Sequence, residues 1–103
     1  MLKWLTLERI KQQCRIEQDF HDEDDLLEDY GESAEETLLK ELNRSYEDLI
    51  EEYGRIPAPI RHATLLLVDS GYQFRGKDMQ QQVFSNPTFS LLLKPYMRLV
   101  SNQ

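Results

Sequence analysis

The sequence predicts an all-α fold, a small bundle of about four to five helices, and three observations predict it. Apolar residues recur at spacings of three and four along most of the 103 residues. Helix starts such as Thr6 and Ser45, and stops such as Gly54 and Pro95, punctuate those stretches. No segment shows the convincing apolar–polar alternation of a half-buried strand. The length suits one domain, residues 1–103, and is too short for two comfortable cores.

Thr6 can cap a first short helix, "LERIKQQC", that carries Leu7, Ile10 and Cys14 on one side. "IEQDFHDEDD" then reads as a polar connection. Asp22 with Asp25 three residues later is a capping-box-like start, and its crowd of carboxylates complements a helix dipole. Beyond it Leu26, Leu27, Tyr30, Ala34, Thr37 and Leu38 fall within about 120° at helical spacing. That stripe predicts one long helix to about Leu42, running through Gly31 at a cost of about 1 kcal/mol relative to Ala. The alternative ends a helix at Gly31 and restarts at Ser33, with Glu36 as the capping partner.

"NRSYEDLIEEYG" is a compact unit, with Ser45 as N-cap, Asp48 at the third helical position and Gly54 as the stop. "RIPAP" is a rigid link, and Pro59 suits a first helical turn because its missing N–H would find no partner there. The central apolar helix follows, near residues 58–75. Ile60, Ala63, Thr64, Leu67, Val68, Gly71 and Phe74 share one face, with Leu65, Leu66 and Tyr72 on the flanks. His62, Asp69 and Gln73 occupy the narrow opposite strip. A helix apolar over most of its circumference is buried on several sides, and in so short a chain neighbouring subunits are expected to supply part of that cover. "GKDMQQQVFSNP" reads as an irregular arm, residues 76–87. Thr88 to Lys94 forms a last short helix with Phe89, Leu92 and Leu93, closed by Pro95.

Charge is segregated. Residues 17–52 hold sixteen carboxylates against Lys40 and Arg44, a local balance of −14, while the rest of the chain carries +7. Such a dipole suits head-to-tail association of identical subunits. The −14 segment is also the support for the rival reading, a small acidic module that sequesters a basic host protein.

The chemistry of known sites finds little here. His62 and Asp69 stand seven residues apart, about 10 Å along a helix, too far for a direct acid–base pair. "DFHDEDD" resembles a calcium loop only superficially, with Asp24 where a Gly is needed and Tyr30 where a bidentate Glu is needed. Cys14, His21 and His62 are too few and scattered for zinc, and a lone cysteine most often packs as a small hydrophobe. No phosphate loop, nucleophile elbow or HExxH is present. The expectation is a protein without enzymatic activity, metal or cofactor. No apolar run approaches the roughly 18 residues of a membrane span, and the N-terminal "MLKWLTLERIKQQ" lacks the pattern of a secretory signal. A cytoplasmic site of synthesis is expected.

Taken in order, "LTLERIKQQCRI", "DEDDLLEDY", "YEDLIEEYGRIPAPIRHATLLLVDSGYQFRG" and "FSLLLKPYMRL" resemble the small head-tail connector (adaptor) proteins of tailed bacteriophages, often described as DNA-packaging proteins. The resemblance spans nearly the whole chain. It implies an α-helical, non-enzymatic virion protein that forms a homo-oligomeric ring beneath the portal, and extends the channel through which double-stranded DNA passes without sequence specificity. It also implies contact with the portal and with a tail-completion or stopper protein. Assembly would take place in the host cytoplasm, from a prophage-borne gene, before incorporation at the head-tail junction. Leu39, Leu65, Leu66, Asp69 and Tyr72 are the candidates for the subunit interface, and Arg75 and Lys77 for the DNA channel. The 76–87 arm is more polar than the resemblance leads one to expect.

Overall fold

The structure is a computed structural model that describes residues 2–73 and 91–97. Four α-helices run in order: α1 Leu7–Cys14, α2 Asp24–Leu42, α3 Tyr46–Tyr53 and α4 Ala58–Gln73. Residues 91–93 are again helical and lead into a 3-10 turn, Lys94–Tyr96. There is no strand among the described residues, and the fold is the all-α bundle expected.

Local chemistry sets most of the boundaries. Thr6 accepts a hydrogen bond from the N–H of Arg9, and Ser45 accepts one from Asp48, so both N-caps satisfy a donor that the helix leaves open. Gly54, at φ 79°, ends α3 in the left-handed region that glycine enters without strain. Arg15 and Asn43 end α1 and α2 in the same conformation. Pro59 lies in the first turn of α4, as its missing donor allows. Pro95 sits inside the closing 3-10 turn rather than just after the helix.

Helix α4 is the spine. Its first half supplies Ile60 and Ala63 to one apolar cluster with Leu38, Leu42, Leu49, Ile56 and Leu93. Its second half supplies Leu65, Leu67 and Val68 to another, with Leu5, Ile10, Cys14, Leu27 and Ala34. Trp4 touches both clusters. Its indole N–H donates to the Thr64 hydroxyl at 3.1 Å, and that hydroxyl donates to the Ile60 carbonyl at 2.6 Å, so the buried threonine has both roles filled.

Helix α2 is continuous through Gly31, as the unbroken stripe predicted. The stripe is rotated, however. Leu26 is 36% exposed, whereas Gly31 and Glu35 face inward. The cause is the N-terminal segment, which crosses α2 there. A Cβ at Gly31 would lie 2.7 Å from Leu2 Cδ2 and 2.9 Å from Ile10 Cδ1. Glu35, 2% exposed, accepts the backbone N–H groups of Lys3, Trp4 and Leu5 at 2.8–3.0 Å.

The expected capping box at Asp22 and Asp25 does not form. Helix α2 starts at Asp24 behind Glu23, whose side chain makes no cap hydrogen bond. Lys11 fixes this start instead. Its buried ammonium lies 2.8 Å from Asp24 Oδ1 and donates to the Gln18 and Phe20 carbonyls, pinning the polar connection under α1. His21 pairs with the other Asp24 oxygen at 2.8 Å. The Phe74, Gln73 side-chain and Phe89 expectations, and the 76–87 arm, lie outside the described residues.

Candidate assembly surface

With the core closed by α4, the chemistry left on the outside is a division of charge. Helix α2 turns Asp25, Glu28, Asp29 and Glu36 outward. At 100° per residue these four lie within about 100° of one another and extend about 16 Å along the axis. Like charges so placed repel one another, and a cationic surface laid against them would relieve that repulsion.

Away from α2, between the N-terminal segment, α3 and the start of α4, two adjoining depressions of about 370 and 190 Å³ share Trp4 and Arg61 in their walls. Arg55 lines the larger and Arg9 the smaller. In the larger one Trp4 stacks along Tyr46, with ring centroids 6.1 Å apart and planes 7° from parallel. Arg9, Arg55 and Arg61 are all exposed, and no ion pair with a carboxylate forms at any of them among the described residues. Arg61 also stands on the first turns of α4, where no acidic residue offsets the positive end of the helix dipole.

A third region lies at the junction of α2 and α3. Arg44 pairs with Asp48 at 2.8 Å and with Glu52, and donates to the Tyr96 carbonyl at 3.3 Å. Its guanidinium lies 5.5 Å from the Tyr53 ring centroid, and Tyr53 meets Tyr96 edge-on. These contacts hold the turn at Lys94–Tyr96 onto the bundle. Hydrogen bonds to Asp48 first, then to Glu52, raise the pKa of Arg44 further above its ordinary value.

The residues singled out from sequence are spread around the bundle rather than gathered. Leu65 is 5% exposed and packs in the subunit's own core with Leu5, Ile10 and Cys14, so its cover comes from within the subunit. Leu66 and Leu39 are half-buried against the second cluster. Asp69 does not stand on an open strip. It is half-buried beside α1 and close enough to Cys14 to accept a hydrogen bond from its thiol. Burial first, and then the Asp69 charge and hydrogen bond, push that thiol up to about 11. Tyr72 is half-buried and donates from its hydroxyl to Glu23 at 2.7 Å, joining the end of α4 to the start of α2. His62 is exposed. Arg75 and Lys77 lie outside the described residues.

Sequence reasoning did not single out Lys11, Glu35 or the Arg55–Arg61 groove. Lys11 had a signal, since it adjoins Ile10 on the face of α1 that meets the acidic connection. Among the described residues no three His, Cys, Asp or Glu side chains come together as a metal site. No described helix is long and apolar enough to cross a membrane.

The model of the phage gp6-like head-tail connector proteins matches residues 5–99, which is nearly the whole chain. The chain belongs to that family. Neither the curated proteins nor the solved structures provide a match. As a gp6-like connector it is a structural phage protein, a virion component that assembles with other head and tail proteins. The family match and the all-α bundle agree with the resemblance carried by the quoted sequence segments.

Proposed function

We propose that this connector protein is a single-domain subunit, residues 1–103, that forms a homo-oligomeric ring at the head-tail junction. The ring continues the channel below the portal, meets a tail-completion or stopper protein on its other side, and takes no part in catalysis. The observation that carries the reading is the family match over residues 5–99. The separation of acidic α2 from the basic groove supports it, because each copy then offers two unlike faces and a heterologous contact that closes gives a ring.

Double-stranded DNA passes through such a channel without sequence preference. Arg75 and Lys77 remain the proposed channel residues. In the free subunit these two bases neutralise at most about two phosphates, far below the 6–10 contacts of a strong binder, so weak DNA binding without sequence preference is expected of it. Leu39, Leu66, Asp69 and Tyr72 keep a proposed place at subunit contacts through the parts of their surface that stay open.

The test is the mass and shape of the purified protein, by light scattering and negative-stain microscopy, together with phage assembly when the gene is deleted. Closed rings, and capsids that fail to acquire tails, are the expected results. A species that never exceeds a dimer, with normal virions from the deletion, would overturn the ring and favour an acidic binding module.

A further inference from the structure

We infer that the groove walled by Trp4, Tyr46, Arg55 and Arg61 is the seat for the acidic outer face of α2 from a second copy of this chain. The inference rests on the ring reading and gives it a specific contact.

Charge complementarity within one sequence selects the occupant. The groove and the smaller depression beside it present three exposed arginines, Arg55 and Arg61 in the groove and Arg9 next to it, with no carboxylate paired to them among the described residues. The stripe of Asp25, Glu28, Asp29 and Glu36 is the matching anionic surface. Arg44 and Lys11, by contrast, already have their carboxylates within the subunit.

The two surfaces belong to different elements, α2 on one side and the α3–α4 link with the start of α4 on the other. A copy docked by its α2 therefore still offers its own groove to the next copy, which is the head-to-tail geometry a ring requires. The groove also suits a helix as guest. Stacked Trp4 and Tyr46 give a firm amphipathic wall, and guanidinium groups at its edges can form forked hydrogen bonds to carboxylates. The exposed Leu26 beside the acidic stripe supplies an apolar contact for that wall.

Two reversal variants of the full chain test this. One carries Arg55→Glu with Arg61→Glu, the other Glu28→Lys with Asp29→Lys. Each alone is expected to weaken self-association at least about tenfold, by placing like charges across the contact. An equimolar mixture is expected to reassemble, since each variant's altered face meets a complementary one. Sedimentation velocity reads the mass, and circular dichroism checks that each variant is folded. Arg55→Ala with Arg61→Ala, which only removes charge, is expected to weaken association less and in the same direction, and it substitutes if a reversal fails to fold.

Oligomers unaffected by either reversal would overturn this contact while leaving the ring in place. Weakening that mixing does not repair would also overturn it, because the groove would then hold some other surface, such as another virion protein. A wild-type chain that stays monomeric at every concentration would overturn the contact and the ring together.

Discussion

The Glu35 carboxylate, midway along α2, accepts the backbone N–H of Trp4 at 2.9 Å, thirty-one residues earlier in the chain. The flanking N–H groups of Lys3 and Leu5 converge on the same carboxylate. One buried side chain thus satisfies three successive donors of a bent, non-helical segment, and it places Trp4 where the indole can bridge both apolar clusters and wall the groove.

Removing that acceptor is expected to be costly. Glu35→Ala leaves three donors without a partner, and an unsatisfied buried donor costs about 1–3 kcal/mol. Because part of the segment can turn to water, a total loss of about 2–4 kcal/mol is expected in urea unfolding. Glu35→Gln keeps one acceptor oxygen and should lose about half as much. Trp4 is the only tryptophan, so its emission reports whether the segment has come away. An Ala variant within about 0.5 kcal/mol of wild type would show that these hydrogen bonds are not holding it.

Acid stability should carry the mark of Asp24. Hydrogen bonds from Lys11 first, and then His21, hold its carboxyl below the ordinary value of 3.8. A pKa lower in the folded state means that the folded protein binds this proton less readily than the unfolded chain. The stabilisation is therefore complete above the ordinary carboxylate range and fades as pH falls through the depressed folded value. Asp24→Asn is expected to be less stable than wild type at pH 7, with the gap closing towards pH 2. A gap that stays constant across that range would rule out ion pairing as its source.

How far the sequence revealed this molecule depends on which interactions were local. Thr6, Ser45, Gly54 and Pro59 act within a turn of themselves, and each stands where its residue type predicted. The continuity of α2 through Gly31 was legible from periodicity, but the reason for a glycine there was not, since Leu2 and Ile10 come from far earlier in the chain. Glu35 looked like one more carboxylate in an acidic run, because its partners are backbone groups that leave no pattern of residue types. Periodicity places Leu65 on a flank of α4 and Asp69 on its opposite strip, but it says how a helix is divided and not how many neighbours it has. Packing of α1 against α4 decided that.

Cys14 is expected to be slow with thiol reagents in the folded protein. Burial, aided by the Asp69 carboxylate, raises its pKa to about 11, so very little thiolate exists at pH 8. Unfolding restores an ordinary thiol, and alkylation by iodoacetamide should then accelerate by at least about tenfold. Asp69→Asn removes the smaller contributions and is expected to give only a modest rise in native reactivity, since burial remains. Equal rates for native and unfolded protein would mean that the seam between α1 and α4 is open in solution.

Gly31 sets two opposing effects against each other. Alanine there gains about 1 kcal/mol of helix propensity, but its methyl meets Leu2 Cδ2 and Ile10 Cδ1 at separations well inside van der Waals contact. Both atoms are ends of flexible side chains. Leu2 is only half-buried and can swing aside, while Ile10 is fully buried and must shift within a packed cluster. Gly31→Ala is therefore expected to lie within about 1 kcal/mol of wild type, the gain and the strain nearly cancelling. Gly31→Leu has the same backbone benefit with far more volume to place, and overpacking of that kind costs about 1–3 kcal/mol. Because Leu2 adjoins the segment that Glu35 anchors, this loss should come with a red-shifted Trp4 emission, as the indole moves towards water. A Leu variant as stable as wild type, with unchanged emission, would show that the N-terminal segment does not cross α2 at this glycine.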